Sequence, residues 1–130
     1  MSANVCSVYH LQDKQFRNEQ DFKTWQMAEL GRFCKVVFEI ENEEKEPGFP
    51  DVLAIDNDDV ARFYEFKVAR KSGNFKFEST QPRFFNRHSY LKIYVMVWDA
   101  ERHDMYCIPA TIAANAVLAA GKLTLNVRKF

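Results

Sequence analysis

Apolar and polar positions along the chain divide it into short blocks. Residues 1–12 show no clear period and read as a disordered lead or an edge strand. From about Asp13 to Leu30 there is no Gly or Pro, and helix formers are frequent; this predicts a helix closed by Gly31. Phe33 to Glu41, with Val36, Val37, Phe38 and Ile40, predicts a strand. The polar run Asn42 to Glu46 predicts a solvated loop, ended by Pro47-Gly48. Two apolar strands follow, 52–55 and 60–68, joined by the polar turn Asp56-Asn57-Asp58-Asp59. Residues 69–77 read as a basic loop around Ser72-Gly73-Asn74, with at least one of Phe75 and Phe77 turned inward.

A helix is predicted from about Glu78 to His88 or Ser89, since Ser79 or Thr80 can cap it and Pro82 is tolerated in a first turn. Leu91 to Trp98 is almost continuously apolar, the mark of a central strand buried on both faces. A return strand at 105–108, a helix over 110–120 opened by Pro109 and closed by Gly121, and an alternating edge strand at 123–127 complete the chain. The order is helix, strand, strand, strand, helix, strand, with a C-terminal helix and strand added. It predicts one α/β domain over 1–130 with a central mixed sheet flanked by helices.

Candidate chemistry lies in the strand pair. Side chains alternate across a strand, so Glu65 and Lys67 share one face and Phe66 takes the other. If the strands pair about the acidic turn, Asp51 comes near Glu65 and Lys67. Two carboxylates and an ammonium then converge at one sheet edge. Hard divalent cations take oxygen ligands, often one or two carboxylates with waters and substrate phosphate. The arrangement suits phosphodiester hydrolysis. The bland reading is a turn dipeptide, Pro50-Asp51, and a solvated Glu-Lys pair; each half alone is weak.

Together the two halves resemble the PD-(D/E)XK nuclease superfamily, with Pro50-Asp51 as its first element and Glu65-Phe66-Lys67 as its second. Gly48-Phe49-Pro50-Asp51 looks like the G-x-P-D of Holliday-junction resolvases and VRR-NUC domains. With the flanking elements, the resemblance covers about two thirds of the chain. It implies a restriction-endonuclease-like αβββαβ core, with Asp51, Glu65 and the Phe66 carbonyl as metal ligands and Lys67 as the catalytic lysine. It implies Mg2+, with Mn2+ able to substitute, and no small-molecule cofactor. Gln81 matches the glutamine such nucleases place at the second helix start. Glu19, on the apolar arc of the first helix with Phe16, Phe22, Met27 and Leu30, matches its glutamate, with Glu29 as the alternative. DNA, including branched DNA, is the implied substrate. Symmetric cutting of a junction calls for a homodimer.

Charge sharpens this picture. The net charge is zero, yet residues 1–61 carry −7, residues 62–92 carry +6 and residues 93–130 carry +1. A basic stretch beginning at the candidate strand is a footprint for a polyanion, or else the complement of the acidic half. Arg70, Lys71 and Lys76 in the basic loop, and Arg83 with Arg87 four residues apart on a helix face, are the candidate phosphate contacts. His88 reads as bland. The odd, widely spaced cysteines Cys6, Cys34 and Cys107 form neither a zinc pattern nor a disulfide framework, which suits reduced thiols in a cytoplasmic protein. Neither a signal-peptide pattern nor a membrane-length apolar run is visible. Two other readings remain at this point: a non-catalytic nucleic-acid-binding module on the same fold, and a sequence-specific restriction enzyme reading DNA from core loops.

Overall fold

The computed structural model describes residues 6–40 and 46–130. A six-stranded sheet runs in the order β1 (Ser7–His10), β7 (Asp104–Pro109), β6 (Ile93–Asp99), β4 (Ala61–Ala69), β3 (Val52–Asp56), β2 (Cys34–Glu39). Only β4 and β6 pair in parallel; the others are antiparallel, so the sheet is mixed. The expected α-β-β-β-α-β order is present: α1 (Glu19–Gly31), β2, β3, β4, α2 (Thr80–Arg87), β6. The C-terminal addition is α3 (Ala110–Ala120) and β8 (Thr124–Asn126). It closes with a 3-10 turn, Val127–Lys129.

The parallel β4–β6 pair sets the layers. Glu65 and Lys67 stand opposite Val95 and Val97, and Phe66 opposite Met96. One face of the sheet, with Phe66, Met96 and Trp98, packs on Phe22 of α1. The other, with Val95 and Val97, packs on Phe84 and Phe85 of α2 and on Ala113, Ala114 and Val117 of α3. Phe22 is fully buried, its ring edge-on to Phe66 at 5.6 Å between centroids. Burying such a side chain contributes about 2–3 kcal/mol. β6 is buried on both faces, as its apolar run predicts.

Several boundaries differ from expectation, each for a local reason. α1 begins at Glu19, because Asn18 is extended and its side chain caps the Asp21 N–H at 2.9 Å. Phe16 precedes the helix but still packs on Phe22, Trp25 and Trp98. Gly31 is the last helical residue rather than a left-handed cap, and Arg32 closes the helix in the right-handed region. Gly121 is the left-handed cap expected of it, with φ of +68°. Lys23, on the apolar arc of α1, is accommodated by Glu39 of β2, 2.5 Å away. The 69–77 segment is not loop throughout: β5 (Asn74–Lys76) pairs with β8 in a separate two-stranded ribbon, and both Phe75 and Phe77 are buried. Of the two readings of the N-terminal segment, the edge strand is present at Ser7–His10. Residues before 6, and the polar loop except Glu46, lie outside the described residues.

Candidate active site

β3 and β4 form the expected hairpin. The Val52↔Tyr64 register and the Asp51 N–H donated to the Tyr64 carbonyl at 3.1 Å place Asp51 beside Glu65. Asp51 lines an open cleft of about 510 Å3, together with Glu19, Gly48, Glu65, Lys67 and Gln81 among others.

Gly48 explains how the second helix reaches this point. Its φ is +92°, and a Cβ there would stand 2.5 Å from the Thr80 carbonyl oxygen. Only glycine supplies that backbone conformation and that closeness without strain. The first turn of α2 therefore abuts the segment that carries Asp51. Pro82 is in that turn, as expected, but Ser79 makes no side-chain cap. The Gln81 Oε1 instead accepts the N–H of Glu78, one residue before the N-cap, at 3.0 Å. The buried Gln81 lines the cleft, and its side chain, as a hydrogen-bond partner, favours the ionised form of Glu65.

Glu65 is 4 % exposed, and its Oε2 is 3.6 Å from Lys67 Nζ. Its Oε1 is buried with no hydrogen-bond partner. Among the described residues two other buried side-chain atoms share that condition, Gln26 Oε1 and Trp98 Nε1; only Glu65 presents a carboxylate. Burial, and then the charge of Asp51, push its pKa up to about 7; Lys67 and Gln81 pull the other way. Lys67 is itself buried, and its ammonium lies 5.6 Å from the centre of the Phe77 ring.

Glu19 is the first residue of α1 and keeps solvent access, so it sits at the rim rather than on the core-facing arc. Its carboxyl is raised by burial among the cleft walls; Lys67 lowers it and Asp51 raises it. The alternative, Glu29, faces Arg32 at 3.6 Å near the other end of the helix and does not line the cleft.

The donor set suits a hard divalent cation. The charge of Asp51 raises the cost of ionising Glu65, and one buried oxygen of Glu65 has no hydrogen-bond partner. Carbonyls alternate along a strand, so that of Phe66 lies on the same edge as that of Tyr64, past the start of β3. There Pro50 has no N–H, and the Phe49 N–H is donated to Glu46 at 3.1 Å. Among the described residues no three His, Cys, Asp or Glu side chains form a metal-holding group. Two carboxylates, one carbonyl and waters are the set this chain offers, which is within the habit of Mg2+.

The candidate phosphate contacts divide. Arg70, Lys71, Lys76 and Arg83 are exposed and make no side-chain hydrogen bond or ion pair among the described residues. Arg83 lines a second depression that shares Glu46, Pro47 and Thr80 with the cleft, so it stands beside the site. Arg87 does not have that freedom. Glu46 holds it at 2.5 Å and also holds His88 Nε2 at 2.9 Å. Arg62 likewise faces Asp56 at 2.6 Å. Part of the basic excess is therefore internal neutralisation. Lys122 and Lys129, exposed on the C-terminal addition, were not singled out by spacing or by the charge run.

No family model matches the chain, and no curated protein does. Among solved structures, the fold is similar to that of Hjc, a Holliday junction resolvase from the archaeal hyperthermophile Archaeoglobus fulgidus. The TM-score is 0.45 and the identity 14%, over 73% of this chain and 98% of that one. At that distance the functional reading rests on the site's own geometry.

Proposed function

We propose that this chain is a metal-dependent endonuclease that hydrolyses DNA phosphodiester bonds, selecting branched structures in the manner of Holliday-junction resolvases or VRR-NUC enzymes. The observation that supports this reading is the meeting of Asp51, Glu65, Lys67 and Gln81 in one open cleft, with a buried carboxylate oxygen left unpaired. A solvated surface pair has no need of such burial, and a binding module without catalysis has no use for an unpaired buried carboxylate.

Asp51, Glu65 and the Phe66 carbonyl would hold Mg2+, or Mn2+ in its place. Bound there, the ion supplies charge neutralisation and a water that ionises near neutral pH. The chain's own residues do the rest. Lys67, buried and directed by Glu65, orients the attacking water and offsets charge growing on the scissile phosphate. Gln81, its oxygen pinned by Glu78, offers N–H groups to that water or to a phosphate oxygen. Glu19 at the rim orders water from the other side. Arg83, beside the cleft, offers an exposed guanidinium for the flanking phosphate. Two copies, each cutting one strand, would serve a four-way junction.

The test is cleavage of a four-way junction, a flap, a linear duplex and a single strand by the wild type and Asp51→Asn, each with Mg2+, Mn2+ or EDTA. Metal-dependent cutting, strongest on the junction and lost in the variant, is expected. DNA retained in a gel shift but uncut under every metal would replace the enzyme by a binding module.

A further inference from the structure

We infer that the β5–β8 ribbon is a second nucleic-acid contact, a track for the phosphate backbone that the C-terminal addition builds. The ribbon is anchored from within. Asn74, Phe75 and Lys76 pair with Asn126, Leu125 and Thr124, and Phe75 and Leu125 are buried. Alternation then sends Asn74, Lys76, Thr124 and Asn126 to the outer side. Two depressions meet there, sharing Asn74 and Thr124. One is bordered by Arg70 and Lys76, the other by Lys122 and Lys129, and no carboxylate lines either.

The tail also fixes the backbone of the neighbouring turn. Arg128 donates to the Lys71 carbonyl at 2.7 Å, Asn126 to that of Ser72 at 3.0 Å, and the Val127 N–H to that of Gly73 at 2.8 Å. Gly73 has φ of +88°, and a Cβ on it would meet Arg128 at 2.9 Å, so the turn and the tail are fitted to each other. Asp99 and Glu101 act on Arg128. The side chains of Arg70, Lys71, Lys76, Lys122 and Lys129 are left exposed, with no ion pair or hydrogen bond among the described residues.

Cations interleaved with the Thr124 hydroxyl and the Asn74 amide suit phosphate oxygens, and the ribbon's aromatic residue, Phe75, is buried away from bases. The contact is therefore to duplex backbone, without sequence preference. Along the chain Lys76 stands two residues from Glu78, which lines the cleft. The choice of DNA as ligand rests on the function proposed above.

The test is binding of a fluorescent 20-base-pair duplex in EDTA, where nothing is cut, across a salt series. The proteins are the wild type, Asp51→Asn, the triple variant Lys76→Gln/Lys122→Gln/Lys129→Gln, and a charge-matched control, Lys14→Gln/Arg17→Gln/Arg32→Gln. Each phosphate contact contributes about 0.9 to the slope of log K against log salt. The ribbon triple is expected to reduce that slope by two to three and the affinity by about tenfold or more, while the control leaves both near wild type. Equal losses in the two triples, no loss in the ribbon triple, or no duplex binding by the wild type would overturn the ribbon assignment. Normal binding by every protein but the ribbon triple, with no cleavage once metal is restored, would sink the catalytic reading alone.

Discussion

Two buried carboxylates on neighbouring strands of the same sheet are treated in opposite ways. Asp99, at the end of β6, is fully buried, and Arg128 holds both its oxygens at 2.7 and 3.1 Å. Burial works against its ionisation, but the bonds from Arg128 and the Arg102 N–H prevail and hold its pKa below the usual carboxylate range. Glu65, in the middle of β4, has Lys67 at 3.6 Å and Gln81 beside it but keeps one oxygen unpaired, and burial and the charge of Asp51 push its pKa up to about 7. A buried acid whose oxygens are all engaged fastens one part of a fold to another. A buried acid left incomplete beside a cleft is unfavourable for the fold alone and is completed by something that binds. Asp99 accordingly ties the C-terminal tail to the sheet, while Glu65 lines the cleft with one oxygen unpaired.

The contrast is sharpest in Glu65→Gln. This variant keeps the shape and removes the buried charge. Cleavage in Mg2+ is expected to fall by about 10²–10³-fold, while the melting temperature measured in EDTA holds or rises. A variant that melts well below wild type would mean that Glu65 is a structural acid like Asp99, and the comparison would fail.

Arg128→Met makes the converse change. It leaves the buried Asp99 without its cationic partner, only backbone N–H groups remaining to it, and the melting temperature is expected to drop by roughly 10 °C. Arg128→Lys should recover only part of this, because an ammonium does not reproduce the bidentate fork. A melting curve like that of the wild type would show that the Asp99 pair fastens nothing.

The smallest effect is in the pH dependence of stability without metal, and its sign differs between the two acids. Glu65 is raised in the folded state. Its protonated form is favoured on folding, so its contribution is present below its ordinary value of 4.5 and is lost as pH rises through about 7. Asp99 is lowered. Its contribution is present above its ordinary value of 3.8 and is lost as pH falls through the depressed pKa. Denaturant titrations in EDTA should therefore show a decline from pH 5 to pH 7.5 that Glu65→Gln removes, and an acid-side loss that it leaves in place. A wild type and variant with parallel profiles between pH 5 and pH 7.5 would contradict the raised Glu65.

Much of the architecture was legible because it is locally encoded. The alternation in 52–69 carries the β3–β4 hairpin, and the spacing of Glu65 and Lys67 puts both on one face whatever the rest of the chain does. The near-continuous apolar run at 91–98 marks a strand covered on both sides, and β6 is that strand. The start of α1 was misplaced because capping by Asn18 is a single side-chain contact, invisible to a pattern of apolar residues. The β5–β8 ribbon was half missed because its two strands are three residues each and find each other across some fifty positions. Nothing in either strand alone announces the pairing.

The sequence by itself determined which groups are available at the candidate site: Asp51 at the head of one strand, Glu65 and Lys67 on one face of the next, and Gln81 at a helix start. Spacing along a regular element sets direction, and direction survives any fold that keeps the element. Only the tertiary structure decided the state of those groups. It left one oxygen of Glu65 without a partner, gave Arg87 to Glu46, gave Asp99 to Arg128, and brought Lys122 and Lys129 beside Arg70 and Lys76. Burial, pairing and charge depend on neighbours distant in the chain, and those neighbours are chosen by how the layers close over one another.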